Sequence, residues 1–442
     1  MNRAIAAAAL VLVAACGPGR VIRRGDVNTD LLVEIERKLV VTRGLRFTAD
    51  VPARALGPKA LSESLAHELD LTYKPGDLER ISAMYTRLGM LPPGTALRTV
   101  MTELYEGQVA AFYDPRTKSL AVATEATRTP GFWIGVLTTL SGHDLVGELL
   151  VSHELTHALQ DQHWGLPVDP EPLTASHSDR LLARRALLEG DATLASFAYV
   201  RGGGPLDPAT IDWIQGELRK VPTQLAAEYP DVPEVVRATL AFQYDAGAAF
   251  TGWALGTGGW AAVDRVHADP PESTEQVLHP ARYYAQRDRP VTIDVGGTEA
   301  LTASGWTRTF EDTLGELDVR VLAGRSLPAE RAAAIADGWG GDRLCGFARG
   351  NTLALVWMTA WDSPADAVEF ADAMPTVVPD SHVERHDDRV LILAGAPDPE
   401  RLAARVWART TLTPGRISAA PARPGSPPAS APPAPADPDR HR

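Results

Sequence analysis

Two histidines flank an acid in His153-Glu154-Leu155-Thr156-His157, a pattern suited to binding a metal ion and activating water. On a helix, a spacing of four sets both imidazoles on one face, one turn apart, where they can grip a single metal ion. Glu154 lies beside them, where a carboxylate can take a proton from water activated by that metal. His67-Glu68-Leu69-Asp70-Leu71 begins the same way but lacks the second histidine, and reads as an ordinary amphipathic helix. Catalytic zinc keeps three protein ligands and one open position, so a third ligand is required. The candidate is Glu189, in Leu187-Leu188-Glu189-Gly190-Asp191-Ala192. An acid among apolar residues in mid-helix is costly to bury unless a cation neutralises it. The alternative for Glu189 is an ion pair with Arg184 or Arg185. The expected cofactor is one Zn2+ per chain. The only cysteines are Cys16 and Cys345, which argues against a thiolate zinc site and a disulfide framework.

Several elements must position these groups. The histidine pair lies in a helix expected over 145–162, with Ser141 and Asp144 in a capping-box arrangement before it and Gly165 just past its end. Glu189 lies in a second helix over 178–199, stopped by Gly202-Gly203-Gly204. Gly190 and Ala192 are small enough for that helix to pack closely on the first. A third helix is expected over 235–255. Upstream, residues 31–100 read as mostly helical, with Leu61, Leu65, Leu69 and Leu78, Ile81, Met84, Tyr85, Leu88 at helical spacing. The runs Gly107–Tyr113 and Ser119–Ala123 flank Asp114-Pro115 and read as a hairpin. Beyond 300, strand-then-helix order recurs. Leu353–Met358 precedes a helix capped by Asp362-Ser363-Pro364 and running through Met374, and Val390–Leu393 precedes Glu400–Val406.

His-Glu-Leu-Thr-His followed by Glu189-Gly190-Asp191-Ala192 on a downstream helix resembles the gluzincin metallopeptidases, in particular their aminopeptidase-N-like branch. Tyr244-Asp245-Ala246-Gly247-Ala248 is similar to the Tyr-x-x-Gly-Ala helix that follows the glutamate ligand there. The resemblance implies His153, His157 and Glu189 as zinc ligands, Glu154 as general base and Tyr244 as donor to the oxyanion. It also implies that the run Gly107–Tyr113 supplies an edge strand for an extended peptide. It covers about residues 107–258. Two departures stand out. Thirty-one residues separate His157 from Glu189, which implies an inserted loop around Trp164–Thr174. The Gly-Ala-Met-Glu-Asn motif that anchors a free amino terminus is absent, so the expected activity is that of an endopeptidase.

Other residues near these motifs carry weaker expectations. Asp161, one turn past His157, is placed to orient it, or else marks an exposed helix end. Asp191 is a candidate for the same role toward either histidine. His279 and Tyr283, in a segment after Asp269-Pro270-Pro271, are candidates to reach the cleft, one as a second oxyanion donor; the alternative is a structural loop. His143, His163, His177, His382 and His386 lack metal-like partners at useful spacing and read as surface residues. Phe132-Trp133-Ile134 reads as core or as a lid. Cys345 reads as a small buried hydrophobe.

The 442 residues carry 43 Lys+Arg against 56 Asp+Glu, a formal charge of −13, so no positive field draws in nucleic acid. With 45% hydrophobic and 22% charged residues, the chain has globular composition. Its start reads as an address: Arg3, an apolar run over Ala4–Val13 too short to span a membrane, then Val13-Ala14-Ala15-Cys16. The last four residues resemble the bacterial lipoprotein signal, which implies cleavage before Cys16, lipid on that cysteine and a place in the cell envelope. Gly17 after it favours the outer membrane in a Gram-negative cell. No later stretch is apolar enough to span, so the body is expected to be soluble and merely anchored.

The expected organisation is α+β. Residues 1–16 form the signal, 17–30 a linker and 31–299 a mostly helical gluzincin-like domain with a small sheet whose edge strand lines the cleft. Residues 300–412 form a smaller α+β domain, and 413–442 a Pro/Ala-rich disordered tail. The expected function is zinc-dependent hydrolysis of peptide bonds in a peptide or protein substrate. The alternative is a non-catalytic, metal-containing envelope lipoprotein that binds peptides or partner proteins.

Overall fold

The first long helix, α1 (Thr29–Arg43), starts where the Asn28 side chain accepts the Leu31 amide and ends at Gly44, whose left-handed φ of 80° turns the chain away. Its buried face carries Leu32, Ile35 and Leu39. The structure is a computed structural model that describes residues 21–108, 110–124, 145–167, 175–415 and 418–419. The segment expected to be a linker is part of the core from its first described residue. Ile22–Arg23 pairs with Asp26–Val27, and Val21 and Val27 are buried against α1.

After β1 (Ala53–Leu56) come α2 (Pro58–Thr72), α3 (Asp77–Arg87) and α4 (Leu97–Gln108), then the hairpin of β2 (Ala111–Asp114) and β3 (Ser119–Ala123). β3 lies in the middle, parallel to β1 and antiparallel to β2, which leaves β2 at an edge. The turn forms because the Asp114 carboxylate accepts the Arg116 amide at 2.8 Å and the Thr117 hydroxyl at 2.6 Å. The expected strand is shorter than its run of apolar residues, because Gly107 and Gln108 still belong to α4.

The next unit is helical: α5 (Leu145–Trp164), α6 (Ser178–Val200), α7 (Pro208–Leu218), α8 (Val221–Glu228) and α9 (Glu234–Ala268). Gly165, at φ 73°, ends α5. α6 is buried along most of its length, on nearly every side. It crosses α9 at a pair of glycines: a Cβ on Gly190 would lie 2.2 Å from the Gly247 carbonyl oxygen, and one on Gly247 2.2 Å from the Ala186 oxygen. Gly190 therefore serves the contact with α9 and not the expected contact with the histidine helix. α9 runs past its expected end and breaks at Gly258 and Gly259, the latter at φ 63°. The break redirects its last turns, which carry Trp260, Asp264 and His267.

The remainder holds α10 (Thr274–Leu278), β4 (Thr307–Asp312), α11 (Gly315–Gly324), α12 (Ala329–Asp337), β5 (Trp339–Arg349), β6 (Thr352–Trp361), α13 (Pro364–Val377), β7 (Ser381–His386), β8 (Arg389–Ala394) and α14 (Pro399–Arg409). Its antiparallel sheet has the order β7-β8-β6-β5-β4. Side chains alternate between its faces as strand geometry requires. Leu344, Trp357 and Ile392 pack toward α11–α13, whereas Cys345, Val356 and Leu391 pack toward α14. The first of these cores also contains Leu69, Leu78 and Met84 from α2 and α3, and Leu88 just past α3. The hydrophobic core thus crosses the boundary expected at 300.

The fold is mixed α+β, with 56% of the described residues helical. Thr411–Thr413, which ends at the first residue of the expected tail, pairs with Thr292–Asp294, and Ser418–Ala419 within that tail pairs with Gln286–Arg287. Cys16, Phe132-Trp133-Ile134, Ser141, His143, Asp144, most of the expected inserted loop and residues 420–442 lie outside the described residues. Among the described residues no helix is long and apolar enough to cross a membrane.

Candidate metal centre

α5 and α6 lie side by side, and their contact brings the expected ligands to one point. His153 Nε2 is 3.2 Å from His157 Nε2 and 3.1 Å from Glu189 Oε2, and His157 Nε2 is 3.6 Å from the same oxygen. Ligand atoms at two corners of a tetrahedron around zinc, each about 2.1 Å from the ion, stand about 3.3 Å apart. The three donor atoms have that spacing and that mixture of imidazole and carboxylate. Glu189 is not paired with Arg184, whose guanidinium donates instead to the Gly165 carbonyl. Burial works against ionising Glu189, but the two histidines outweigh it and hold the carboxyl well below the usual range. Burial likewise opposes charge on His157, yet Glu189 and Glu154 raise its pKa to about 9. The His157 shift reports the negative potential that Glu189 and Glu154 focus at this point.

Glu154 is fixed from the hairpin. Its Oε2 accepts the Tyr113 backbone amide at 2.8 Å, from the free edge of β2. Burial raises its pKa, against the pull of His157 and His153. A carboxylate whose pKa is raised toward neutrality is a stronger base than an exposed one. Tyr244, on α9, brings its ring centroid to 6.3 Å from that of His153, with the planes 35° apart.

His157 is held by a chain of buried polar groups. Gln160 donates through Nε2 to the Leu188 carbonyl and to Asp191 Oδ2, both at 3.0 Å, so its Oε1 must accept. That oxygen lies 2.8 Å from His157 Nδ1, which places the ring proton there and leaves the Nε2 lone pair facing the other donors. Asp191 is fully buried and is bound by Arg43 at 2.7 and 3.2 Å and by His267 Nε2 at 2.8 Å. Burial opposes its ionisation, but Arg43 and His267 keep it well below the usual carboxylate range. Arg43 also pairs with Asp264 at 2.8 Å, and Trp164 stacks on His267 at 4.2 Å. Asp191 therefore acts on His157 through Gln160, one residue further out than expected.

Three expectations are corrected. Asp161 does not orient His157; its carboxylate takes the Tyr113 hydroxyl and the Lys118 ammonium at 2.7 Å and the Leu166 amide at 3.0 Å. One turn past His157 the helix face has passed from the metal centre to the hairpin. Tyr283 donates its hydroxyl to the Asp269 carbonyl and packs its ring on Phe250. His279 faces Glu316 and Asp337. Both side chains are engaged in contacts of their own, as the structural-loop alternative expects. Cys345 is fully buried in the sheet, and burial pushes its thiol up to about 11.

Sequence reading missed Arg43, Gln160, His267 and the Tyr113 amide. Gln160 had a signal, since it lies three residues past His157 on the same helix face. Arg43 had none, because 148 positions separate it from Asp191.

Residues 302–411 match a family described as a domain of unknown function (DUF8575). The match spans the five-stranded sheet and does not reach His153, Glu154, His157 or Glu189. No curated protein and no solved structure matches the chain.

Proposed function

We propose that the chain is a zinc-dependent peptidase that cleaves within peptide chains. The observation that carries this reading is the spacing of 3.1, 3.2 and 3.6 Å among His153 Nε2, His157 Nε2 and Glu189 Oε2, with Glu154 half-buried beside them. A zinc ion held by those three atoms supplies Lewis acidity toward the scissile carbonyl and the attacking water. Glu154 accepts the proton of that water at its carboxylate and returns it to the leaving amine. The Tyr113 amide keeps Glu154 in place, and partial burial of that carboxyl raises its pKa and keeps it basic. The Tyr244 phenol donates to the oxyanion as charge develops there. The edge of β2 offers backbone groups to an extended substrate. Gln160, tied to Asp191, keeps the His157 ring turned so that Nε2 remains a donor to the ion.

Cleavage inside the chain, and not from its amino terminus, follows from the lack of the Gly-Ala-Met-Glu-Asn anchor. As part of the same proposal, lipid on Cys16 holds the protein at the cell envelope. The test is incubation with a mixed peptide library followed by mass spectrometry. Internal cleavage that stops on chelation and in Glu154→Gln supports the reading; cleavage that survives both contradicts it.

A further inference from the structure

Where the helical unit meets the five-stranded sheet, His279 at the end of α10, Glu316 in the first turn of α11 and Asp337 at the end of α12 converge. We propose that these three residues bind a divalent cation, at a second metal site independent of the histidine helix. His279 Nε2 lies 2.9 Å from Glu316 Oε1 and 3.2 Å from Asp337 Oδ1, and all the donor atoms fall within 4.8 Å of one another. A single ring nitrogen has one proton at most and cannot satisfy two carboxylate oxygens. An ion between the three can.

A second observation points the same way. The Glu316 side chain is only 3% exposed, and its Oε2 is sealed from solvent with no hydrogen-bond partner among the described residues. A buried carboxylate oxygen left in that condition is costly unless a cation takes it up.

The surrounding charge is unbalanced. Glu275, Asp288 and Asp362 form an adjoining cluster, so five carboxylates share this region. Against them stand Arg282 and His279. Arg282 is spent on Glu275, on the Asp337 carbonyl and carboxylate, and more distantly on Asp362. Burial, aided by Asp362, Glu316 and Asp288, pushes Glu275 up to about 9 despite Arg282. Access is open, since the Asp337 side chain is 56% and that of His279 33% exposed. One imidazole with two carboxylates suits Mn2+ or Zn2+. The bound ion would tie the segment at His279 to α11 and α12, joining the site-bearing helices to the region matched at 302–411.

The test titrates Mn2+, and Zn2+ in parallel, into protein carrying His153→Ala and His157→Ala, so that the first site does not contribute. Free Mn2+ is followed by electron paramagnetic resonance and bound zinc by calorimetry. One ion should bind per chain, and His279→Ala and Asp337→Asn should each abolish it. Asp337 is exposed, so its replacement by Asn leaves the packing intact. The same two substitutions in otherwise wild-type protein should each remove one ion from the saturated count and the metal-induced rise in Tm. Failure of both ions to bind, or binding unchanged in Asp337→Asn, overturns the proposal without touching the reading of the histidine helix.

Discussion

Tyr113 grips α5 at two points: its amide donates to Glu154 Oε2 at 2.8 Å and its phenol to Asp161 Oδ2 at 2.7 Å. His157 lies between those two acidic residues on the helix. The hairpin edge and the histidine helix are therefore joined directly, and the donor that positions Glu154 is backbone and not a rotatable side chain. Burial raises the pKa of Glu154, whereas at Asp161 burial is outweighed by Lys118, the Tyr113 hydroxyl and the Leu166 amide, so that its pKa is lowered.

Replacing Glu154 by Gln keeps an oxygen that can accept the Tyr113 amide and removes only the basic site. The variant should hold zinc as the wild type does and lose about 10²–10⁴-fold in kcat. Metal analysis beside cleavage rates checks this. Loss of zinc together with activity would make Glu154 a structural residue.

The chain from His157 through Gln160 to Asp191 should act on metal affinity. Gln160→Ala takes away the acceptor at His157 Nδ1 and should weaken zinc binding about 10–100-fold with an unchanged circular dichroism spectrum. Asp191→Ala is more severe, because it leaves Arg43 buried with only the partly exposed Asp264 as its acidic partner. It should cost about 3–5 kcal/mol in urea unfolding. Equal zinc affinity in Gln160→Ala and wild type would remove the orienting role.

The glycine crossing of α6 and α9 gives a steric prediction. A Cβ at Gly247 would meet the Ala186 oxygen at 2.2 Å, and backbone cannot yield as a flexible side chain does. Gly247→Ala should destabilise the protein by about 1–3 kcal/mol. It should also weaken zinc binding, because Glu189 lies one turn from Ala186. A Tm equal to that of the wild type would contradict the close approach.

How much of this was legible in sequence varied with the range of the interaction. The histidine pair and Glu189 could be read because each is a local anomaly: two imidazoles one turn apart, and an acid in an apolar helix. The hairpin and the short apolar strand at Val390–Leu393 followed the same local rules. Asp161 shows the limit, since a spacing of four predicts a shared helix face but not that Tyr113 and Lys118 lie over that end of it. Arg43 and Asp191 are each ordinary in their own segments, and only the fold joins them. The amphipathic pattern of α2 and α3 announced an apolar face without saying that the face packs on a sheet more than two hundred residues later.

Buried acids between α3 and the sheet make stability depend on pH. Asp318 accepts the Tyr85 hydroxyl at 3.1 Å, and burial, reinforced by Asp312 and Asp342, raises its pKa to about 7. An unfolded Asp titrates near 3.9, so between about pH 4 and 7 the folded state binds the extra proton. Stability from this group is therefore greatest below pH 4, declines as pH rises to about 7, and is flat above. Asp318→Asn should remove that decline, matching wild type at pH 4 and exceeding it by about 2–4 kcal/mol at pH 8. Denaturant unfolding at the two pH values measures the difference, and a variant less stable than wild type at pH 8 would contradict it.

The most direct test of the central claim is the zinc content of purified protein carrying Asp337→Asn, with and without Glu189→Ala. The Asp337 substitution leaves only the histidine-helix site to be counted. The account predicts about one zinc per chain with Glu189 present and little with Glu189→Ala, both proteins being folded by circular dichroism. No zinc in either, after purification without chelator and an attempt to reload, would contradict it, as would an unchanged content in Glu189→Ala.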